Sequence, residues 1–177
     1  MIRILAKFIL NKVFRWKFIG SFPKDDKYII AVVPHTSYFD LILAVLIRTY
    51  SGLKIKFIGK KELFNPLTSF IFKFLGGIPV DRDKNKNLVD SVVSLFSLNK
   101  IQILAIAPEG TRRKVKKWKT GFYYIALKAN IPILMVSFDY EKKQVKIYEK
   151  FFPTGNIKVD FYKLEMMVID VLARNKI

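Results

Sequence analysis

The spacing of apolar and polar positions changes several times along the chain, and each change marks an element. Tyr28 to Val33 is an apolar run between the turn sequence PKDD and Pro34, which predicts a buried strand. Ser37 is a good helix N-cap, and the pattern after it predicts a helix to about Tyr50. KIKFIG, residues 54–59, alternates like a second strand. Residues 66–75 read as helical until Gly76 and Gly77 break the pattern, and IPV, residues 78–80, is a short strand. Residues 86–98 put Leu88, Val92, Leu95 and Phe96 on one helical face. IQILAIA, residues 101–107, is almost continuously apolar, as expected of a strand covered on both sides. A helix from Thr120 to Ala129 and a buried strand IPILMVSF (131–138) follow. QVKIYEK (144–150) pairs with that strand as an antiparallel hairpin across YEKK, and an amphipathic helix over 157–173 closes the chain.

Strands alternating with helices predict a single α/β domain with a central, mostly parallel sheet flanked by helices. A length of 177 residues fits one domain, and no internal repeat, low-complexity tract or linker interrupts it. In open sheets of this kind ligands gather outside the carboxyl ends of the strands. His35 follows one predicted strand, Asp81 and Arg82 a second, and Glu109 to Arg112 a third, so three polar turns are expected at one sheet edge.

The N-terminal stretch MIRILAKFILNKVFRW has helical periodicity. Ile2, Leu5, Ala6, Ile9, Val13 and Trp16 fall on one face, with Arg3, Lys7, Lys12 and Arg15 largely opposite and Phe8 and Phe14 flanking. Such a helix can pack on the domain core, rest at a bilayer interface, or do both. Lys7 and Lys12 break any signal-peptide core. Pro34, His35 and Asp40 interrupt the apolar region from Tyr28 to Ile47, so no transmembrane helix is expected.

Composition narrows the partners. Hydrophobic residues make up 51% and aromatics 15%, which excludes disorder, yet the formal charge is +18. A folded domain so basic points to an anionic partner: nucleic acid, a membrane surface or a phosphorylated small molecule. With no cysteine there is no disulfide framework, thiolate nucleophile or Cys-based zinc site. A single histidine argues against a transition-metal site.

The turn PHTSYFD admits two readings. Ser37 and Asp40 resemble a capping box, with His35 an ordinary loop residue. Alternatively, Asp40 in the first helical turn points back to accept a hydrogen bond from one nitrogen of His35. The other nitrogen is then free to take a proton from a substrate hydroxyl, the base-and-orienter half of a triad. In GGIPVDR (76–82), Arg82 is either a phosphate fork or half of a surface pair with Asp81. In APEGTRRK, Gly110, Thr111 and Arg112 resemble a phosphate cradle without Walker A spacing, while Glu109 anchors Arg112 or buttresses the loop; a plain turn is the other reading. Arg112 to Lys119 carries six basic residues in eight, with Trp118 among them, which suits a solvated basic face, an interfacial anchor or a base-stacking surface.

The order of these motifs resembles the glycerolipid acyltransferases, especially the lysophosphatidate acyltransferases. HTSYFD looks like their H-x4-D box, GGIPVDR like their glycine-to-arginine block, PEGTR like their E-G-T-R block, and IPI (131–133) like a late proline-containing block. The resemblance covers about Tyr28 to Phe138. It implies a glycerol-3-phosphate acyltransferase-like domain over 21–177 behind a membrane-associated helix over 1–20. It implies His35 as general base with Asp40 as its partner, and Arg82, Glu109, Gly110, Thr111 and Arg112 at the phosphate of the acceptor. The implied reaction moves a fatty acyl group from acyl-CoA or acyl carrier protein, a co-substrate thioester, to the hydroxyl of a lysophospholipid such as lysophosphatidate. No metal or resident cofactor is implied. The implied setting is an anionic membrane surface, with the chain peripheral on its cytoplasmic face.

Pro34 stands where many members have Asn, a departure that removes no proton carrier. Glycerol-3-phosphate or a lyso-aminolipid remains an alternative acceptor. A nucleic-acid-binding module is the alternative of another class; no RNA-recognition or helix-turn-helix signature supports it, and no nucleic-acid partner is expected.

Overall fold

The computed structural model describes residues 1–24, 27–80, 88–113 and 115–174. Its strands are β1 (Lys17–Ile19), β2 (Tyr28–Val32), β3 (Ile55–Lys60), β4 (Gly77–Val80), β5 (Ile103–Ile106), β6 (Ile133–Asp139) and β7 (Gln144–Phe151). They form a seven-stranded sheet in the order β1-β7-β6-β2-β5-β3-β4. From β6 to β4 all neighbours pair parallel; β7 turns back antiparallel on β6, as the hairpin pattern predicted, and β1 runs parallel to β7.

Two helical layers cover the sheet. Strand β2 sits centrally, and its residues alternate between two cores. Ile29 and Ala31 pack under α4 (Leu88–Ser97), α5 (Gly121–Ala129) and α6 (Ile157–Arg174), where Val92, Phe96, Phe122, Ile125, Leu164 and Val168 are buried. Tyr28 and Ile30 pack under α2 (Phe39–Ser51), whose Leu43 and Ile47 lie one turn apart on its inner face. Burial on both faces is why β2 and β6 read as continuous apolar runs rather than alternating ones. Each large side chain buried this way contributes roughly 1.5–3 kcal/mol. Helix α2 stops at Gly52, whose φ of 72° lets its N–H reach back to the Arg48 carbonyl.

The N-terminus departs from the single amphipathic helix expected of it. Helix α1 spans Ile2–Phe8 and continues as a π-helical turn, Ile9–Val13, then gives way to β1. Of the expected apolar face Ala6 and Trp16 are buried, whereas Ile2, Leu5 and Val13 are exposed; Leu10, off that face, is buried in the π-helical turn. Strand β1 was not predicted: its three residues continue the basic, apolar N-terminal pattern with no turn signal ahead of them, and their partner lies at the other end of the chain. The helix expected over 66–75 is shorter, with α3 at Ser69–Phe74 after a 3-10 turn at Lys61–Phe64.

Candidate active site

The parallel strands bring several turns to their carboxyl edge. The backbone leaves β2 through the cis Val33–Pro34 bond and places His35 ahead of α2. His35 Nδ1 lies 2.9 Å from Asp40 Oδ2, with the histidine side chain 25% exposed and the aspartate 3%. The five-residue spacing produces this contact locally, because Asp40 occupies the first turn of α2 and points back over the loop.

The capping and catalytic readings of this turn hold together. Asp40 Oδ2 also accepts from the Ser37 N–H at 3.0 Å, the return half of a capping box. The serine half differs from expectation: Ser37 Oγ accepts from the Phe39 N–H at 3.0 Å, two residues on, and the helix begins at Phe39. The remaining carboxylate oxygen, Oδ1, accepts a short hydrogen bond from the Tyr140 hydroxyl. Tyr140 follows β6, and its ring meets Trp16 edge-on at 5.2 Å between centroids. Burial pushes the Tyr140 phenol well above its usual range, and the bond to Asp40 pushes it further, so it remains a donor. Sequence reasoning missed this residue. Its only signal was its place just beyond the carboxyl end of a buried strand.

Glu109, from the turn after β5, does not anchor Arg112. It is buried, and its Oε2 accepts from the His35 backbone N–H at 2.8 Å. The carboxylate thus ties the E-G-T-R turn to the histidine loop rather than lying open to a ligand. Burial raises the Glu109 carboxyl above its usual range, partly offset by the His35 N–H.

Gly110 has φ +66°, a left-handed backbone conformation that favours glycine, and it lies beside the movable end of the Lys119 side chain. The Lys119 N–H bonds to the Pro108 carbonyl at 2.8 Å and closes the basic loop on itself. Thr111 Oγ1 accepts from the Arg113 N–H at 3.2 Å. Arg112 lies with its guanidinium carbon 4.0 Å from the centre of the Tyr38 ring, at the start of α2. Gly110, Thr111 and Arg112 therefore share a rim with His35. Arg82 lies outside the described residues; β4, which precedes it, ends at that same edge. Trp118 is partly buried on the α5–α6 side, 6.4 Å from Phe161.

This arrangement can remove a proton from a hydroxyl. An ionised Asp40 accepts only, so the neutral imidazole carries its hydrogen on Nδ1 and leaves Nε2 as the acceptor. Among the described residues none bonds Nε2, and the ring is partly open to solvent. No group of three or more His, Asp or Glu side chains suited to a metal occurs among the described residues.

A family model described as acyltransferase matches residues 15–139. The fold is similar to the crystal structure of the 1-acyl-sn-glycerophosphate (LPA) acyltransferase PlsC from Thermotoga maritima, with a TM-score of 0.68. Sequence identity to it is 21%, over 99% of this chain and 79% of that one, a likeness in fold. No curated protein sequence matches the chain.

Proposed function

The chain belongs to the acyltransferase family, and on that premise we propose that it moves a fatty acyl group from a thioester to the hydroxyl of a lysophospholipid, lysophosphatidate giving phosphatidate. The observation that carries this reading is the His35–Asp40 contact of 2.9 Å with Nε2 left open.

In the proposed reaction His35 Nε2 takes the proton of the acceptor hydroxyl as its oxygen attacks the thioester carbonyl carbon. Asp40 holds the ring in the productive tautomer and offsets the positive charge that forms. The tetrahedral intermediate then expels the thiolate, and Nε2–H returns the proton to sulfur. Base and acid are the same nitrogen, so the cycle closes without a resident cofactor. Arg112, Thr111 and the N–H groups around Gly110 bind the acceptor phosphate, with Arg82 added by the resemblance. Glu109 acts on the substrate only through the loop it fastens. The donor is acyl-CoA or acyl carrier protein.

A membrane setting supports this choice of acceptor. No described helix is long and apolar enough to cross a bilayer. Helix α1 instead exposes Ile2, Ile4, Leu5 and Phe8 beside Arg3 and Lys7, a composition that suits an anionic interface. We place the chain as a peripheral protein on the cytoplasmic face.

The test is purified enzyme in detergent, offered lysophosphatidate, glycerol-3-phosphate and lyso-aminolipids with each thioester, and read by mass spectrometry. Phosphatidate is the expected product, and a folded His35→Ala variant should be slower by about 10²–10⁴-fold. A His35→Ala rate equal to wild type would remove the mechanism. Acylation of another acceptor in place of lysophosphatidate would replace the substrate.

A further inference from the structure

Helix α3 and the turn before it carry an apolar stripe on the wrong side. Leu67, Phe70, Ile71 and Phe74 recur at the three- and four-residue spacing by which a helix normally meets its core. Here they are 89%, 79%, 53% and 73% exposed, and the Phe70 and Phe74 rings stack on each other at 6.4 Å. The inward contacts of this segment come from other residues. Phe64 packs onto Gly59 and Gly77, where a β-carbon would lie 2.9 Å from its ring, and its ring also meets Phe72 at 5.7 Å. The outward stripe is left without a partner in the described chain.

Strand register places α3 on the α1 side of the sheet. Ile55 aligns with Ile103 and Phe57 with Ala105, and Ile55, Ile103 and Ala105 belong to the core beneath α2. Gly59 has the same parity as Ile55, and Gly77 aligns with Phe57, so the ring of Phe64 lies on that face. Helices α1 and α3 are thus separate apolar projections of one layer. Neither contains an acidic residue, and Arg3, Lys7 and Lys73 are interleaved with their apolar side chains.

We propose that α3, with the turn before it, is a second membrane-docking element, which inserts Leu67, Phe70, Ile71 and Phe74 into the anionic leaflet that also receives α1. Charge selects this occupant. Two copies of a chain at +18 repel each other, whereas an anionic bilayer attracts both projections and accepts bulky apolar side chains beside lysines. With two points of attachment, the layer carrying α1, α2 and α3 faces the lipid. The inference rests on the membrane reading of α1, and the experiment separates the two.

Sedimentation with phosphatidylcholine vesicles, with and without phosphatidylglycerol, reads binding in the absence of any substrate. The Phe70→Ser/Phe74→Ser protein should bind the anionic vesicles at least about tenfold more weakly than wild type, as should Leu5→Ser/Phe8→Ser. Helix α6 provides the control, because Met166 and Ile169 are also 46% and 47% exposed but belong to the opposite layer. Met166→Ser/Ile169→Ser should bind as wild type does. All four residues changed in α3 and α6 are exposed, and circular dichroism checks that each variant is folded. Wild-type affinity in the α3 variant, with loss only in the α1 variant, would overturn the role of α3 and leave that of α1 standing. An equal loss in the α6 variant would also overturn it, since apolar exposure rather than layer would then decide. Wild-type protein that stays in the supernatant would overturn both.

Discussion

Tyr140 and Asp40, one hundred residues apart, are joined by a hydrogen bond from the phenol to the carboxylate oxygen that His35 does not use. The bond holds one carboxylate oxygen while His35 and the Ser37 N–H hold the other, which favours the orientation that faces Nδ1. Tyr140→Phe keeps the ring against Trp16 and removes only the donor. Hydrogen bonds to charged groups contribute about 1.5–3 kcal/mol, so kcat should fall about ten- to a hundredfold with KM nearly unchanged. Steady-state kinetics at fixed thioester concentration would show it; an unchanged kcat would mean the bond is only structural.

Asp40→Asn should be more damaging. An amide in this position presents N–H groups, which favours the tautomer with hydrogen on Nε2 and removes the proton acceptor. A fall in kcat of about 10²–10⁴-fold is expected, measured on protein whose circular dichroism matches wild type.

Glu109 links the site to stability. Its folded-state pKa is raised by burial, so the protonated form suits the fold and stability declines as pH rises through that value. Glu109→Gln keeps an oxygen for the His35 N–H and removes the buried charge. Its melting temperature should match wild type at acid pH and exceed it at neutral pH. Glu109→Ala should be less stable than Glu109→Gln at every pH, because the His35 N–H loses its acceptor. Thermal melts across a pH series would check both.

Asp160 gives the opposite sign. Burial pushes its carboxyl up, but bonds from the Thr154 N–H at 2.7 Å, the Tyr123 hydroxyl at 2.8 Å and the Thr154 hydroxyl at 2.9 Å outweigh burial and hold it below the usual range. Its contribution is present above the unfolded value of about 3.9 and is lost as pH falls through the lower folded value. Asp160→Asn should cost about 1–3 kcal/mol at neutral pH, since its amide would face donors, and should lose less stability than wild type on acidification. Denaturant unfolding at neutral and acid pH would measure it.

Much of this architecture is legible in the linear pattern. Strands β2 to β7 and helices α2, α4, α5 and α6 fall where the linear pattern puts them, through apolar runs, alternation or helical periodicity bounded by turn residues. Strand β1 does not, and after α1 a π-helical turn that no periodicity signals buries Leu10, off the expected face. The apolar stripe of α3 reads like any core-facing helix, and only its neighbours reveal that it points outward.

The candidate site divides the same way. The sequence alone determines the His35–Asp40 pair, because five residues of loop and first helical turn bring the two side chains together by backbone geometry. The grip of Glu109 on the histidine backbone and of Tyr140 on Asp40 spans 74 and 100 residues. Those contacts exist because β5 and β6 flank β2 in a parallel sheet, which puts their carboxyl ends on one rim. Strand order is settled by the packing of whole faces, and no local run of residues carries that information.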